Sequence, residues 1–339
     1  MFENIENIDE WVKNGKSVAL ARVIKTWGSS PRPVGSVMLV NEDKKMLGSV
    51  SGGCVEGAVV KKAIELIESK KALRLSYGVS DEDAWSVGLS CGGSIQVYLQ
   101  YIDFSKDELW EQLLQNSRQN KSSILISTLE DGQNKNTLIN QDGSILGNDL
   151  PEEVKEYAWK AYDERTHKTI THNDVEYFIH VFPRKNLLLI IGAAHITVDL
   201  VSLANQFGFE TVVIDPRGYF AKNTTFPDPP SQLLEAYPSE VLDQFPLDAY
   251  TFCAILSHDP KIDDNALEIL LPSKVGYIGA LGSKKNHLKR TNRLLEKGIS
   301  QDLIDKISAP IGMSINAKSA KEIALAILAQ IIEAKNRHL

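Results

Sequence analysis

The chain of 339 residues is long enough for two domains of ordinary size, each with its own hydrophobic core. A net charge of -7, with 24% of charged residues, is typical of a soluble globular protein and excludes a general binder of nucleic acid or anionic membranes. No apolar run approaches the roughly 20 residues of a membrane span and no leader peptide opens the chain, so a cytoplasmic location is expected.

The cysteines argue against a disulfide framework. There are three, Cys54, Cys91 and Cys253, and they lie far apart. Two thiols without a CxxC motif or a nearby histidine supply at best half of a tetrahedral zinc site. No segment repeats at a fixed period, so we expect no repeat architecture.

The stretch Thr26–Gly57 carries the most distinctive pattern, with two turns rich in glycine and serine on either side of a predicted strand at Val37–Val40. Gly52 and Gly53 lack a Cβ atom, which lets their backbone approach a ligand closely. Cys54 follows at the start of a predicted helix, where the helix dipole favours an anion or a thiolate. The alternative is a small cysteine buried in a tight turn.

The hydrophobic pattern of the first half of the chain predicts a mixed α+β domain. Its predicted elements are a helix at 8–14, strands at 17–25 and 37–40, a helix at 55–64, strands at 73–77 and 95–101, a helix at 107–119, a strand at 122–129, a hairpin at 138–146, a helix at 152–162 and a strand at 175–182.

A second cysteine loop precedes the predicted strand at 95–101. Its Cys91-Gly92-Gly93 is nearly the mirror image of Gly52-Gly53-Cys54. Because each loop adjoins a strand, the two can face one pocket, and Cys54 and Cys91 are the candidate metal ligands.

A domain boundary is predicted near Pro183, which gives domains at 1–183 and 184–339. Five consecutive apolar residues at 187–191 indicate a parallel strand buried on both faces. The turn Gly192–His195, a helix and a second strand that ends at Asp215 then complete half of a Rossmann-type fold, in which such an acid binds a ribose hydroxyl. The predicted fold is therefore α/β: a mixed α+β domain followed by a Rossmann-like, doubly wound parallel sheet.

The dinucleotide fingerprint is incomplete. The G-x-G-x-x-G pattern requires glycine at the positions of Ala194 and Thr197. The methyl group of Ala194 lies where a pyrophosphate is approached, and Thr197 is branched where the helix packs closely on the strand. Two interpretations stay open, a dinucleotide site and a plain βαβ unit without a nucleotide.

Further polar residues follow later predicted strands. His258 and Asp259 end one strand, and the turn Gly282-Ser283-Lys284 begins a basic helix. Since open α/β sheets bind ligands at strand carboxyl ends, we expect these residues to converge with His195 and Asp215 on one cleft that suits a phosphate. Alternatively, the basic run is a solvated helix face and Asp259 caps the turn before a proline.

These motifs together resemble the XdhC/CoxI family of accessory proteins for molybdenum hydroxylases. The resemblance extends over nearly the whole chain, with one departure at Ala194, where glycine is usual in the family. The matching stretches are 26–35, 48–57, 87–93, 190–195, 213–217, 258–261 with 263–264, and 277–283.

The resemblance implies a chaperone that binds the molybdenum cofactor, a pyranopterin phosphate with or without a cytosine nucleotide. It implies protection of the cofactor while a cysteine desulfurase exchanges an oxo for a sulfido ligand, then transfer to apo-xanthine dehydrogenase or a related hydroxylase, with a homodimer as the expected assembly. The candidate cofactor-binding residues are Gly52, Gly53, Cys54, Cys91, Gly92, Gly93, Gly192, His195, Asp215, His258, Gly282, Ser283 and Lys284.

Two other functions stay open. An NAD(P)-dependent oxidoreductase would use the C-terminal domain with His195 or His258 as acid/base, although the incomplete glycine turn disfavours NAD(P). A purely structural bridge between desulfurase and hydroxylase would need neither Cys54 nor Cys91.

Overall fold

A computed structural model describes residues 5–30, 32–78, 93–218 and 226–337 of the chain. Its contacts divide the chain into two compact units, Met1–Arg184 and Lys185–Leu339. None of the helices in the described ranges is both long enough and apolar enough to cross a bilayer.

The first unit contains four helices and ten strands among the residues described. Helical elements are α1 (Ile5–Lys13), α2 (Glu56–Ser69), α3 (Glu108–Arg118) and α4 (Glu152–Asp163). The strands are β1 (Val18–Trp27), β2 (Val37–Asn41), β3 (Met46–Gly48), β4 (Leu73–Tyr77), β5 (Ser94–Ile102), β6 (Ser123–Thr128), β7 (Asn136–Asn140), β8 (Ile145–Gly147), β9 (Lys168–His172) and β10 (Val175–Phe182).

These strands form two five-stranded antiparallel sheets, each with a helix on one face. Helix α2 packs Val59, Ala63 and Leu66 on the first sheet, because these apolar residues recur at helical spacing along one side. Helix α4 covers the second sheet in the same way. The opposite faces of the two sheets share one apolar cluster with α1 and α3, so the layers run helix, sheet, sheet, helix.

The two halves of this unit, 5–102 and 108–182, have the same topology. Each runs helix, three strands, helix, two strands, and the sheet orders β3-β2-β1-β5-β4 and β8-β7-β6-β10-β9 correspond strand for strand. The sequence interpretation missed this duplication because the loops between equivalent elements differ in length, so no fixed period exists.

One hairpin retains the repeat in its sequence. Segment 37–48 aligns without a gap with segment 136–147, and the pairs identical in both are Leu39/Leu138, Asn41/Asn140, Asp43/Asp142, Leu47/Leu146 and Gly48/Gly147. A hydrogen bond from a backbone N–H to a side chain is repeated as well. The Ser17 N–H donates to the Glu42 carboxylate in the first half, and the Ser122 N–H to the Gln141 amide oxygen in the second.

Between the two sheets lie polar side chains that are almost completely buried. The Arg22 guanidinium donates to Gln100 Oε1 and to Ser127 Oγ (2.7 Å), and burial lowers the pKa of Arg22 to about 10. His180 packs its ring against His167, with centroids 4.8 Å apart. Burial lowers the pKa of His167 to about 4, and burial together with His167 holds the pKa of His180 well below its usual value.

The second unit is built on six parallel strands. These are β11 (Leu187–Ile191), β12 (Glu210–Ile214), β13 (Gln232–Leu234), β14 (Thr251–Ile255), β15 (Tyr277–Ala280) and β16 (Ile307–Ser308), in the order β13-β12-β11-β14-β15-β16. Counted within the unit, this is the Rossmann order 3-2-1-4-5-6, which reverses between β11 and β14. The described α-helices are α5 (His195–Gln206), α6 (Pro238–Val241), α7 (Pro260–Leu270), α8 (Lys284–Glu296), α9 (Gln301–Ile304) and α10 (Ala320–Asn336).

Helices cover both faces of this sheet, with α5 and α10 on one face and α7, α8 and α9 on the other. The doubly wound fold predicted from the apolar strand at 187–191 is therefore confirmed. Cys253 belongs to the core on β14, and burial raises the pKa of its thiol, which makes it an inert structural cysteine.

Candidate functional site

In the first half of the first unit, the connections that carry the cysteine motifs begin or end at one edge of the sheet. Antiparallel pairing places the end of β1 beside the start of β5, with Trp27 opposite Ser94, and the start of β2 beside the end of β3, with Met38 opposite Gly48. Loops 28–36 and 49–55, together with Gly78 and Gly93, therefore lie at this edge. We call it the site edge.

The equivalent connections of the second half are shorter. Loops 28–36 and 49–55 each exceed in length their counterparts at 129–135 and 148–151, and the connection between β4 and β5 spans more residues than that between β9 and β10. Because binding and catalytic residues concentrate on loops held by a rigid scaffold, the site edge of the first half is the candidate functional site of this unit.

Loop 49–55 is organised by the carboxylate of Glu56, the first residue of α2. Its Oε1 accepts from Ser49 Oγ (2.6 Å) and from the N–H groups of Val50 (3.2 Å) and Ser51 (2.9 Å). Its Oε2 accepts from Ser51 Oγ and from the Gly53 N–H (2.9 Å). Burial opposes ionisation, but the hydrogen bonds from Ser49 and Ser51 outweigh it and lower the pKa of Glu56 to about 2.

This arrangement bears on the glycines, whose backbone is expected to approach a ligand closely. The Gly53 N–H donates to Glu56 and the Gly52 N–H to Ser49 Oγ (2.9 Å), so both amides are engaged within the loop. The glycines are still required for shape, since Gly52 and Gly53 adopt positive φ angles of 75° and 114°. Gly53 is exposed, and outside its own chain neighbours no described atom lies within 4 Å of where its Cβ would be.

Cys54 is half-buried and lies next to the residue that caps α2, because the helix begins at Glu56 with Val55 as its N-cap. Its side chain packs at the border of the apolar cluster under α2. Cys91 and Gly92 lie outside the described residues, so the pairing of Cys54 with Cys91 stays a prediction. Within the described ranges, no three His, Cys, Asp or Glu side chains are grouped as a metal site.

Gly93 contacts the first loop of the site edge. A Cβ atom at this position would lie 2.4 Å from the Ser29 carbonyl oxygen and 2.8 Å from that of Trp27, so only glycine fits here. The Trp27 side chain is 72% exposed, the most exposed of the large hydrophobic side chains described. Gly93 therefore lies directly against the backbone at the start of loop 28–36.

In the second unit, the turns after β11 and β14 meet where the strand order reverses. Gly192 has a φ of 110°, and a Cβ atom there would lie 2.6 Å from the Ser257 Cα. Thr197, at the third position of the glycine fingerprint, is buried and donates its hydroxyl to the Gly192 carbonyl (2.6 Å). His195 is exposed as the first residue of α5.

Asp215 follows β12 and is fully buried. Its carboxylate accepts from the Ala193 N–H (2.7 Å) and from Arg217, whose Nε and Nη2 lie 2.9 and 2.8 Å from the two carboxylate oxygens. Burial opposes ionisation, but these bonds outweigh it and hold the pKa of Asp215 below its usual value. The ribose role expected of Asp215 does not fit this geometry, because both of its oxygens are already engaged.

Arg217 was missed by the sequence interpretation, although it lies two residues after a predicted functional acid. Its Nη1 donates to the Ser257 carbonyl (3.2 Å), so its side chain reaches from the end of β12 to the end of β14. The available signal was the Asp-x-Arg spacing directly after a buried strand.

The loop after β14 contains the strained residue His258, which is exposed and has a φ of 61°. Its neighbour Asp259 caps α7 by accepting from the Lys261 N–H (2.9 Å), which favours the capping interpretation over an acid/base pair. Behind the loop, Ser257 Oγ bonds to Asp263 (2.6 Å), which also pairs with the buried Arg290 (3.1 Å).

The turn after β15 begins α8. Gly282 has a φ of 130°, and Ser283 caps the helix by accepting from the Asn286 N–H (3.3 Å). Lys284 and Lys285 are exposed in the first turn of α8. Parallel pairing places Gly192, Asp215, His258 and Gly282 at the carboxyl edge of one sheet, as the sequence predicts.

Comparison with known proteins assigns both units. The profile of the XdhC and CoxI family matches residues 11–78, and that of the XdhC Rossmann domain matches residues 188–331. The chain is 26% identical to a Bacillus subtilis protein named as a probable xanthine dehydrogenase component, over 97% of each chain. It is also 26% identical to the Escherichia coli molybdenum cofactor insertion chaperone PaoD, over 95% of this chain and 85% of that relative.

The fold is also found among solved structures. The crystal structure of a xanthine dehydrogenase from Bacillus halodurans superimposes with a TM-score of 0.76, at 29% identity, over 98% of this chain and 96% of that one. The two family profiles include loops 28–36 and 49–55 of the site edge and the carboxyl edge of the parallel sheet. The chain therefore belongs to the XdhC and CoxI family.

Proposed function

We propose that this chain is an accessory protein that binds the molybdenum cofactor and delivers it to xanthine dehydrogenase or a related molybdenum hydroxylase. The observation that carries the proposal is the combination of family membership with a duplicated scaffold in which the first half has longer connections, among them the cysteine loop 49–55. Support also comes from a relative that is named a molybdenum cofactor insertion chaperone, aligned over 95% of this chain.

The residues of the site edge fit such a cofactor. When bound, the cofactor would supply a molybdenum centre, for which the sulfur of Cys54 is a suitable soft donor. Gly53, the residue before this cysteine, is exposed, so a ligand can approach the loop there. Cys91 is the second candidate donor.

The amides of loop 49–55 already bind Glu56, so a phosphate would need other donors. A separate candidate phosphate site lies in the second unit, where the first turn of α8 has exposed Lys284 and Lys285 beside Ser283. Cations at a helix N-terminus suit a phosphate. We propose that this carboxyl edge binds a phosphate or nucleotide group, with Gly192, His195, His258 and Gly282 as the other candidate contacts.

The proposed partners follow from the proposed role in holding and delivering the cofactor. A cysteine desulfurase supplies sulfur while the cofactor is held, and the apo-hydroxylase receives it. We propose that the protein acts in the cytoplasm as a homodimer. An acidic chain with a net charge of -7 suits recognition by partner proteins rather than by nucleic acid.

Equilibrium binding of isolated molybdenum cofactor to the purified protein tests the proposal. We expect tight binding by the wild type and a loss of at least about tenfold, roughly 1.4 kcal/mol, in Cys54→Ala. Cys91→Ala tests the second sulfur, and Cys253→Ala is the control because Cys253 is buried on β14. Binding that survives both Cys54→Ala and Cys91→Ala would remove the sulfurs from recognition. No binding by the wild type, with NADH bound instead, would favour the oxidoreductase.

A further inference from the structure

We propose that Glu56 is a positioning residue that holds Cys54 in place and gives its surroundings a fixed negative charge. This inference rests on the proposed function of Cys54 as a cofactor ligand. Glu56 is only 6% exposed, and its carboxylate accepts five hydrogen bonds from Ser49, Val50, Ser51 and Gly53. Among the described residues, this carboxylate is the only group that accepts hydrogen bonds from both ends of the loop that precedes Cys54.

Both neighbours of Cys54 are fixed by this network. The Gly53 N–H donates directly to Glu56, and the Val55 N–H donates to Ser51 Oγ (2.9 Å), which itself donates to Glu56. The backbone on either side of the thiol is therefore held before any ligand arrives. A site built in this way loses little conformational entropy when a ligand binds.

The hydrogen bonds to this carboxylate come from neutral groups. Among the described residues, its donors are the hydroxyls of Ser49 and Ser51 and three backbone N–H groups, and none is a lysine or arginine. Hydrogen-bond donors stabilise a carboxylate but leave its net charge in place. A net negative charge therefore lies two residues from Cys54, and it opposes the prolonged retention of an anionic cofactor. This suits a protein whose task is to release what it binds.

The second half of the unit acts as an internal control for this interpretation. Its equivalent helix α4 begins at Glu152, whose side chain is 74% exposed and pairs with Lys155 (3.0 Å). The short connection before it, 148–151, contains neither cysteine nor glycine. The scaffold thus folds without a buried carboxylate here, so the buried Glu56 accompanies the cysteine loop and not the sheet and helix.

The test measures the reactivity of Cys54 in full-length protein with two thiol reagents of opposite charge. Trimethylammonioethyl and sulfonatoethyl methanethiosulfonate label the thiol at rates that are read from the Cys54 peptide by mass spectrometry. In the wild type we expect faster labelling by the cation. In Glu56→Gln we expect the cation-to-anion rate ratio to fall by about three- to tenfold, as expected for removal of one nearby charge. Glu152→Gln, which makes the same change in the second half, should leave the ratio unchanged.

An unchanged ratio in a folded Glu56→Gln would overturn the inference. Should that variant fail to fold, Glu56→Asp keeps the charge with a shorter side chain. We then expect a wild-type ratio with faster labelling by both reagents, and unchanged rates would overturn the positioning role. Cofactor binding by the wild type is measured in parallel. If it is absent, the proposed function fails while the labelling ratio still reports on Glu56.

Discussion

The two halves of the first unit share a scaffold and differ in their loops. Both fold as helix, three strands, helix and two strands, and both retain the Leu-x-Asn-x-Asp hairpin. The first half adds long glycine and cysteine loops at one edge, and the second half closes the same edge with shorter turns. Sheet and helix packing thus specifies the scaffold twice, while the proposed function depends on the loops of one copy.

The centre of the unit shows a second difference between the halves. Strand pairing makes Arg22 on β1 equivalent to Ser127 on β6, and Gln100 on β5 equivalent to His180 on β10. These side chains meet between the sheets, where the first half contributes a cation and an amide and the second half contributes a hydroxyl and an imidazole. A buried guanidinium is then stabilised by neutral acceptors, and a buried imidazole is kept neutral.

The strongest test of the shared scaffold concerns its equivalent glycines. Gly48 and Gly147 have φ angles of 81° and 99°, and a Cβ atom would lie 2.3 Å from the carbonyl oxygen of Val37 or Asn136. We expect Gly48→Ala and Gly147→Ala each to lower the free energy of unfolding by about 2–4 kcal/mol, because both a positive φ and a backbone clash oppose the new side chain.

Urea unfolding measured by tryptophan fluorescence checks this, because all five tryptophans precede residue 184 and report on the first unit alone. Gly143→Ala is the matched control. Its φ is 85° but its Cβ would meet no described atom within 4 Å, and the equivalent residue of the first half, Lys44, already adopts a φ of 64°. If Gly147→Ala lowered the free energy of unfolding and Gly48→Ala did not, the two hairpins would not be equivalent.

The buried histidines predict a loss of stability in mild acid. The pKa of His167 is lowered to about 4 and that of His180 lies well below its usual value of 6.5, so the unfolded chain binds protons first. Stability is therefore fully present above about pH 6.5 and falls as the pH drops toward 4, by up to about 1.4 kcal/mol per pH unit for each histidine. His180→Gln, which copies Gln100 of the first half, should reduce this slope by about half.

The slope is measured as the urea midpoint of tryptophan fluorescence between pH 6.5 and 4. His195→Gln changes an exposed histidine of the second unit and should leave the slope of the first unit unchanged. Arg22 also faces this cluster and stays charged throughout the range, so it does not contribute to the slope. An unaltered slope in His180→Gln would mean that His180 is accessible to protons in the folded state.

The sequence predicted the elements well where the apolar pattern was strong. The five apolar residues at 187–191 identified a doubly buried strand, and from it the Rossmann-like unit followed. The predicted strand at 73–77 and the strand at 175–182 have the bounds observed. Local periodicity determines these elements, because each must bury a particular face.

The site was harder to predict because its contacts depend on burial and charge, which the sequence pattern does not contain. Gly52 and Gly53 predicted a backbone that approaches a ligand, yet their N–H groups donate within the loop, that of Gly53 to the Glu56 carboxylate. Asp215 lies at the position of a ribose-binding acid, yet its carboxylate already accepts hydrogen bonds from Arg217 and from the Ala193 N–H. In both cases a residue of the chain itself makes the hydrogen bonds that a ligand was expected to make.

The smallest expected effect on stability concerns Trp27, which distinguishes the site edge from the equivalent edge of the second half. Because its side chain is 72% exposed, Trp27→Phe should change the free energy of unfolding by less than about 0.5 kcal/mol. The same substitution should remove most of the fluorescence quenching caused by molybdenum cofactor, if the cofactor binds beside loops 28–36 and 49–55. Trp159→Phe, on α4 of the second half, should leave the quenching intact. Quenching that persists in Trp27→Phe and disappears in Trp159→Phe would move the ligand to the second half and reverse the roles of the two copies.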